Sequence, residues 1–357
     1  MLSFEQYPDD RFVYLTRADV VRACRSVDIV GTVEQALVLH TQGATVLPEE
    51  AYLGWTTPEG HAARCLAMPG ALVQSDRQVL GLKTINASLG NPARGIPRSQ
   101  GFTLLLDPET AQPRALMEAA YISAMRTAAV TAVAVRRLGV AEPRSLALLG
   151  CGTLAQAHLT LLLDELPTLS RIALHDLLPG RAADLAKWIT ALPGAGRLRV
   201  DVADDPRSCV RDAEVIVPVT TTTEGYLQPE WLSPGALVAH VSLDDLTEQA
   251  VLAADLVVVD DWGLVSADPR RLLGRMYRAG TLLDPSGAPR EGTTPAPAAR
   301  RVDGTLGDVL TGALRGRTSD TEIVVSNPFG MSILDVAVAD QALAAATAGG
   351  HGRLLSL

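Results

Sequence analysis

The sequence predicts an α/β protein in which a Rossmann-type parallel sheet domain follows an α+β domain. Three observations carry this reading. From about residue 144 to 265, short apolar runs alternate with helix-length segments, the pattern of βαβ units. At one junction, "LALLGCGTLAQAHL" (146–159), glycines stand where a strand gives way to a helix. The chain is 357 residues long, enough for two domains at roughly 150 residues each, and its front third follows a different pattern.

The composition narrows the class. With 47% apolar and 20% charged residues the chain is an ordinary globular mixture. A net charge of −9 argues against nucleic acid or an anionic membrane surface as partner. The opening "MLSFEQYPDD" is acidic where a secretory leader is basic, and no run approaches the ~18 apolar residues of a membrane span, so a cytoplasmic protein is expected. Cys24, Cys65, Cys151 and Cys209 are scattered and read as reduced thiols, and the six histidines adopt no ligand spacing, so no metal is expected.

Along the chain, an opening helix is predicted over 17–43, followed by strand-like runs "RCLAMPGAL", "VLGLKTINAS" and "GFTLLLDPETAQP" with turn signals between them. Residues 115–140 hold no proline, and no glycine before Gly139, which predicts one helix bridging the domains. The strands of the second domain are "SLALLG", "RIALHD", "LRVDV", "AEVIVPVT", "ALVAHVSL" and "DLVVVDD", with helices such as "TLAQAHLTLLLDEL" and "GRAADLAKWITAL" between them. A Pro/Gly-rich loop follows residue 280, and "SNPFGMSILDVAVADQALAAATA" predicts a terminal helix opened by Asn and Pro.

Gly150-Cys151-Gly152-Thr153-Leu154-Ala155 is a G-x-G-x-x-A fingerprint between a strand and a helix. The first glycine permits the turn and the second lets backbone approach a pyrophosphate. The small third residue packs helix on strand, and the helix N-terminus receives the negative charge. Asp176, 24 residues beyond Gly152, stands near the spacing of an acid that bonds the ribose hydroxyls. An acid there repels a 2′-phosphate and favours NAD over NADP, although Arg181 follows closely. The plain alternative is a glycine turn and nothing more; strand, helix and acid together favour the nucleotide. Thr220 to Thr223 occupy a loop at the carboxyl end of a strand, where open α/β sheets bind ligands and where a hydroxyl-rich loop is also ordinary.

The front block "GLKTINASLGNPARGIPRSQGFTLLLDPETAQPRALMEAAYISAMRTAAVTAVA" supplies Gly81-x-Lys83, Asn86, Gly90-Asn91-Pro92, Gly95 and Arg126-Thr127-Ala128-Ala129. With the glycine fingerprint and "NPFGMSILD", it resembles the ornithine cyclodeaminase/mu-crystallin family over most of the chain. The resemblance implies that the substrate domain comes first and that the end of the chain returns to complete it. The expected boundaries are 1–125 plus 315–357 for a substrate-binding and dimerisation domain, and 126–314 for the nucleotide domain. It further implies a homodimer built through the front domain, for which an exposed sheet edge is the physical reason.

A guanidinium fork and an ammonium suit an α-carboxylate, and Arg126 and Lys83 are of that type; Asp244 in "HVSLDDL" could hold an amine and shuttle its proton. The dull alternatives are a solvated lysine, a surface ion pair, and Asp244-Asp245 as a helix cap. The resemblance implies that Lys83 and Arg126 contact carboxylate, that Lys83 and Asp244 are catalytic, and that alignment prefers Asp244 to Asp245. It also implies an NAD site made of Thr127, Gly150, Gly152, Thr153, Leu154, Ala155, Asp176, Thr220, Thr221 and Ser242.

Departures from the ornithine enzymes bear on the substrate. Where those carry an early arginine this chain has "LPEEAYLGW", with Glu49 and Glu50, and "RLLGRMYRAGTLL" lacks their Glu-Gly-Glu segment. Arg98 stands where threonine is usual, and Arg64 precedes "CLAMPG". Extra arginines at one pocket imply an amino-acid substrate with several carboxylates, with a solvated Arg98 as the alternative. Within the family the likeness is to the branch that oxidises N-(2-amino-2-carboxyethyl)-L-glutamate to 2,3-diaminopropionate and 2-oxoglutarate. The other readings are ornithine cyclisation, imine reduction, and a cofactor-loaded binder of mu-crystallin type.

Overall fold

Alternating residues between 62 and 106 form long antiparallel strands in the computed structural model, which describes residues 11–357. The ten residues read against a leader lie outside that range. The chain up to Arg126 together with Met331–Leu357 forms one compact unit, and Thr127–Gly330 forms another.

The first unit opens with β1 (Arg11–Leu15), α1 (Arg17–Cys24) and α2 (Ile29–Thr41). It continues with β2 (Thr45–Val46), β3 (Ala51–Thr56), β4 (Ala62–Val73), β5 (Gln78–Ser88), β6 (Ser99–Leu106) and β7 (Pro113–Glu118). Helix α3 (Ala119–Leu138) leads out of it. After the second unit the chain returns as α11 (Ser332–Ala348) and β18 (Arg353–Ser356). The sheet runs β18-β1-β7-β6-β5-β4-β2, with β3 also paired to β4.

Three predicted helices are corrected here. The opening helix is two, because the Asp28 carboxylate accepts the Gly31 N–H at 2.9 Å and starts α2 afresh. The long helix starts at Ala119 rather than 115: residues 113–118 pair with β6 as a strand, and Glu118 accepts the N–H groups of Ala120 and Tyr121, each at 3.1 Å. The terminal helix likewise starts at Ser332, after a strand that includes Asn327, and the chain closes on β18.

α11 is apolar nearly all round and buried along most of its length, lying against β4, β5 and β6 with α1 and α2 beside it. Its close approach depends on Gly81, where a Cβ would stand 2.7 Å from the Leu104 carbonyl oxygen and 3.0 Å from Val336 Cγ2. The opposite face of the sheet carries half-buried Leu80, Leu82, Leu104, Leu106 and Leu116 and exposed Phe102.

The second unit runs β8 (Ser145–Leu149), α4 (Thr153–Glu165), β9 (Arg171–His175), α5 (Pro179–Thr190), β10 (Arg199–Val202) and α6 (Pro206–Val210). Next come β11 (Val215–Pro218), β12 (Leu237–Ala239), α7 (Glu248–Ala253), β13 (Leu256–Val259), α8 (Trp262–Ala267) and α9 (Leu272–Ala279). The short pair β14 (Leu282–Leu283) and β15 (Arg300–Arg301) precedes β16 (Gly304–Thr305), α10 (Leu306–Thr311) and β17 (Val324–Asn327). Its main sheet is ordered β10-β9-β8-β11-β12-β17-β13-β16 and is parallel at every pairing, the doubly wound Rossmann arrangement. Central strands β8, β11, β12, β13 and β17 are buried on both faces, which is why they read as continuous apolar runs.

β17 sits between β12 and β13, so residues 315–330, assigned from sequence to the first domain, belong to the second unit; only the chain from Met331 returns. Among the described residues no helix is long and apolar enough to cross a membrane.

Gly81→Ala is expected to destabilise the protein by about 1–3 kcal/mol, because the new methyl meets backbone on one side and α11 on the other. A lowered urea midpoint with unchanged m-value would show it.

Candidate functional site

In the first unit the strand register aligns Met68, Lys83, Thr103 and Met117 in one cross-strand row, on the face that α11 covers. Lys83 is 1% exposed and donates from Nζ to Asp335 Oδ2 of α11 at 2.8 Å. Arg126, buried on α3, places Nε 3.1 Å from the same oxygen. Asp335 itself is fully buried, so two cations share one carboxylate and leave a surplus positive charge out of water. Thr103 Oγ1, Arg126 Nε and Asp335 Oδ1 are buried without a hydrogen-bond partner. The Thr103 hydroxyl and the Arg126 Nε–H can donate to an incoming anion, whereas the Asp335 oxygen can only accept.

Burial pulls the Lys83 ammonium down to about 8; Asp335 opposes that shift and the nearby Arg126 adds to it. Arg64 projects from β4 on the same sheet face as Lys83, its register partner on β5 being Ala87. Arg98 is half-buried and lies close enough to Arg64 that burial, then the like charge, hold its guanidinium below the usual range. A guanidinium stays charged in proteins, so two like charges stand close together here. Among the described residues neither Arg64 nor Arg98 has an acid partner.

In the second unit the fingerprint forms the loop between β8 and α4. Gly150 has φ +89°, and a Cβ there would stand 3.0 Å from the Val219 carbonyl oxygen, so only glycine fits. A Cβ on Gly152 would meet nothing within 4 Å: its backbone faces open space at the start of α4, whose first turn holds no acid. The first N–H groups of that helix, on Thr153, Leu154 and Ala155, lack intrahelical partners as at any helix start. Asp176, at the end of β9, accepts the Cys151 N–H at 2.8 Å and the Leu178 N–H at 2.9 Å, which draws the acid to the glycine loop. A dinucleotide fits this cradle: open backbone for the pyrophosphate and an acid beside it.

Asp245 organises the neighbouring strand ends. It is fully buried and accepts hydrogen bonds from Thr220 Oγ1 at 2.7 Å, from Tyr226 Oη at 2.8 Å, and from Ser242 Oγ. Its own N–H donates to His240 Nε2 at 3.2 Å, and burial pulls His240 down to about 4, so that ring is neutral near pH 7. Burial and the adjacent Asp245 push the Tyr226 phenol up. Thr220 and Ser242 are thus held by Asp245, Thr221 is exposed, and Thr127 follows Arg126 in α3.

Asp244 is engaged differently. It pairs with one side chain, Arg275 of α9, which is 43% exposed, and both line an open depression of about 350 Å³ with Gly225, Thr247 and Gln249. Asp245 is saturated by hydroxyl donors, whereas Asp244, buried itself, has one side-chain partner, a half-exposed arginine whose guanidinium also donates to the Arg270 carbonyl at 2.7 Å.

Sequence reasoning missed Asp335, Tyr226 and Arg275. Asp335 had a signal, an acid within the apolar run "SILDVAVAD", since a carboxylate on a buried helix requires a cation. Arg275 and Tyr226 had none that distinguished them from their neighbours.

A doubly wound parallel sheet with a dinucleotide cradle, accompanied by a unit that concentrates buried cations, defines an oxidoreductase of the nucleotide-dependent kind. A model of the ornithine cyclodeaminase/mu-crystallin family matches residues 11–349, and the chain belongs to that family. It is 29% identical over 332 residues to N-((2S)-2-amino-2-carboxyethyl)-L-glutamate dehydrogenase of Staphylococcus aureus (strain NCTC 8325 / PS 47), covering 92% of this chain and 93% of that one. The crystal structure of CmnK is similar at TM-score 0.87 and 36% identity, over 98% of this chain and 99% of the other. The fold is shared with Thermococcus litoralis Δ1-pyrroline-2-carboxylate reductase in complex with NADH and L-proline, at TM-score 0.82 and 22% identity over 96% of this chain and 99% of the other. The chain is an enzyme of the family's dehydrogenase, reductase and cyclodeaminase group.

A cluster that depends on protonated Lys83 weakens as the pH rises. The amine is charged below its value of about 8 and neutral above it, so kcat/KM for a carboxylate substrate is expected to fall beyond that pH, by about tenfold per unit. A pH profile of kcat/KM that stays flat to pH 10 would remove Lys83 from carboxylate binding.

Proposed function

We propose that the chain oxidises N-(2-amino-2-carboxyethyl)-L-glutamate with NAD+, giving L-2,3-diaminopropionate, 2-oxoglutarate and NADH. The observation that carries this reading is the surplus of positive charge in the first unit. Lys83 and Arg126 share the single acid Asp335, and Arg64 and Arg98 have no acid among the described residues. A substrate with three carboxylates answers that surplus; ornithine, with one carboxylate and two amines, does not. The similarity to the staphylococcal dehydrogenase points to the same substrate.

In this reading Gly150, Gly152 and the N–H groups of Thr153, Leu154 and Ala155 hold the pyrophosphate of NAD, and Asp176 takes the adenosine ribose. Thr127, Thr220, Thr221 and Ser242 complete its binding. When bound, NAD+ supplies the hydride acceptor for oxidation of the glutamyl α-carbon and its nitrogen to an imine. Lys83 and Arg126 hold the glutamyl α-carboxylate, and Arg64 and Arg98 hold the remaining carboxylates, so the reacting carbon is fixed by charge. Asp244 takes the proton from the secondary ammonium and passes it to solvent, and then, ionised again, takes one from the water that adds to the imine. Returning a proton to the departing nitrogen, it releases 2-oxoglutarate and the diamino acid. Arg275 neutralises Asp244 until that acid is needed.

We further propose a homodimer through the first unit, in the cytoplasm. The half-exposed leucines on the uncovered sheet face, together with the exposed strand β3, are the surface a second copy would bury.

The purified chain with NAD+ is expected to raise the NADH absorbance band steadily with the carboxylate-rich adduct and not with ornithine. Asp244→Asn is expected to lower kcat by about 10²–10⁴-fold while leaving NAD affinity intact. Proline and ammonia from ornithine without net NADH would support cyclodeamination instead. Full activity in the variant would take Asp244 out of the chemistry.

A further inference from the structure

We propose that Glu50 is a specificity residue that binds the free primary ammonium of the substrate; this rests on the reaction proposed above. The strand register carries the argument. β3 pairs with β4 so that Ala51 lies opposite Ala67, and Met68 lies opposite Lys83 on β5. Glu50, one residue ahead of β3, therefore extends the row Met68, Lys83, Thr103, on the sheet face that bears the cation cluster. One strand, β4, lies between them, so two inter-strand spacings, roughly 10 Å, separate its α-carbon from that of Lys83. The Glu50 charge is felt at the Lys83 ammonium, and Glu50 is half-buried.

Along the same face the cations stand at the carboxylate positions, with Arg64 in the row opposite Ala87. The substrate carries three carboxylates and, on the three-carbon arm, a primary ammonium that no cation can receive. An acid at the rim of a cationic field supplies its partner, and it repels a ligand that brings a further carboxylate there.

The test compares N-(2-amino-2-carboxyethyl)-L-glutamate with N-(2-carboxyethyl)-L-glutamate, which lacks only the primary amine. Calorimetric affinity with NAD present and steady-state NADH formation are measured for wild type, Glu50→Gln and Glu50→Asp. Wild type is expected to prefer the amine-bearing ligand by about 10–100-fold, as a charge-assisted contact allows. Glu50→Gln should remove that preference through KM, leaving the deaminated ligand within about threefold, and Glu50→Asp should restore part of it. Equal losses for both ligands, or a preference that survives in Glu50→Gln, overturn the role. Discrimination in binding without turnover overturns the reaction and leaves the Glu50 role standing. Absence of binding by either ligand overturns both.

Discussion

Asp335 is the residue on which the first unit depends. A carboxylate on a helix buried along most of its length costs several kcal/mol unless it is paired, and here it is paired twice, by Lys83 from the middle of the sheet and by Arg126 from α3. The three groups fix one another: α11 cannot bury its polar side chain without the cations, and the cations cannot leave water without the acid. Because the sum is positive and polar atoms remain unused, the same arrangement that closes the core also holds an electrostatic demand for an anion.

The second unit separates two adjacent acids by the company they keep. Asp245 is surrounded by hydroxyl donors from three positions and ties together the ends of β11 and β12, while Asp244 is paired with a half-exposed arginine. A buried acid saturated with donors is a poor proton carrier, since every transfer would break those bonds. An acid held by one exposed guanidinium can be released by moving a single side chain.

Much of the second sheet was legible in the sequence, because strands buried on both faces read as apolar runs between helix signals, and the glycine fingerprint marks their first junction. β17 was overlooked for a physical reason: its partners β12 and β13 come much earlier in the chain, so nothing local distinguishes it from the start of the helix that follows. The start of α3 was misplaced for a similar reason, since residues 115–118 suit a helix locally and are drawn into the sheet by β6. Of the site, the cations Lys83, Arg64, Arg98 and Arg126 could be named from a family pattern. The acid that binds two of them was detectable as a carboxylate in an apolar run, but its pairing was not, because its partner Lys83 lies 252 residues away.

α11 has a consequence for synthesis on the ribosome. The sheet of the first unit is translated long before the helix that covers it, and roughly 200 residues, or about 10–40 s of elongation, separate Arg126 from Asp335. During that interval the strands emerge with an apolar face and two cations lacking their counterion, while the whole nucleotide-binding unit is made and can fold. The nascent chain therefore completes its middle before its beginning, and its earliest segment is the part most in need of protection from aggregation until the last helix arrives.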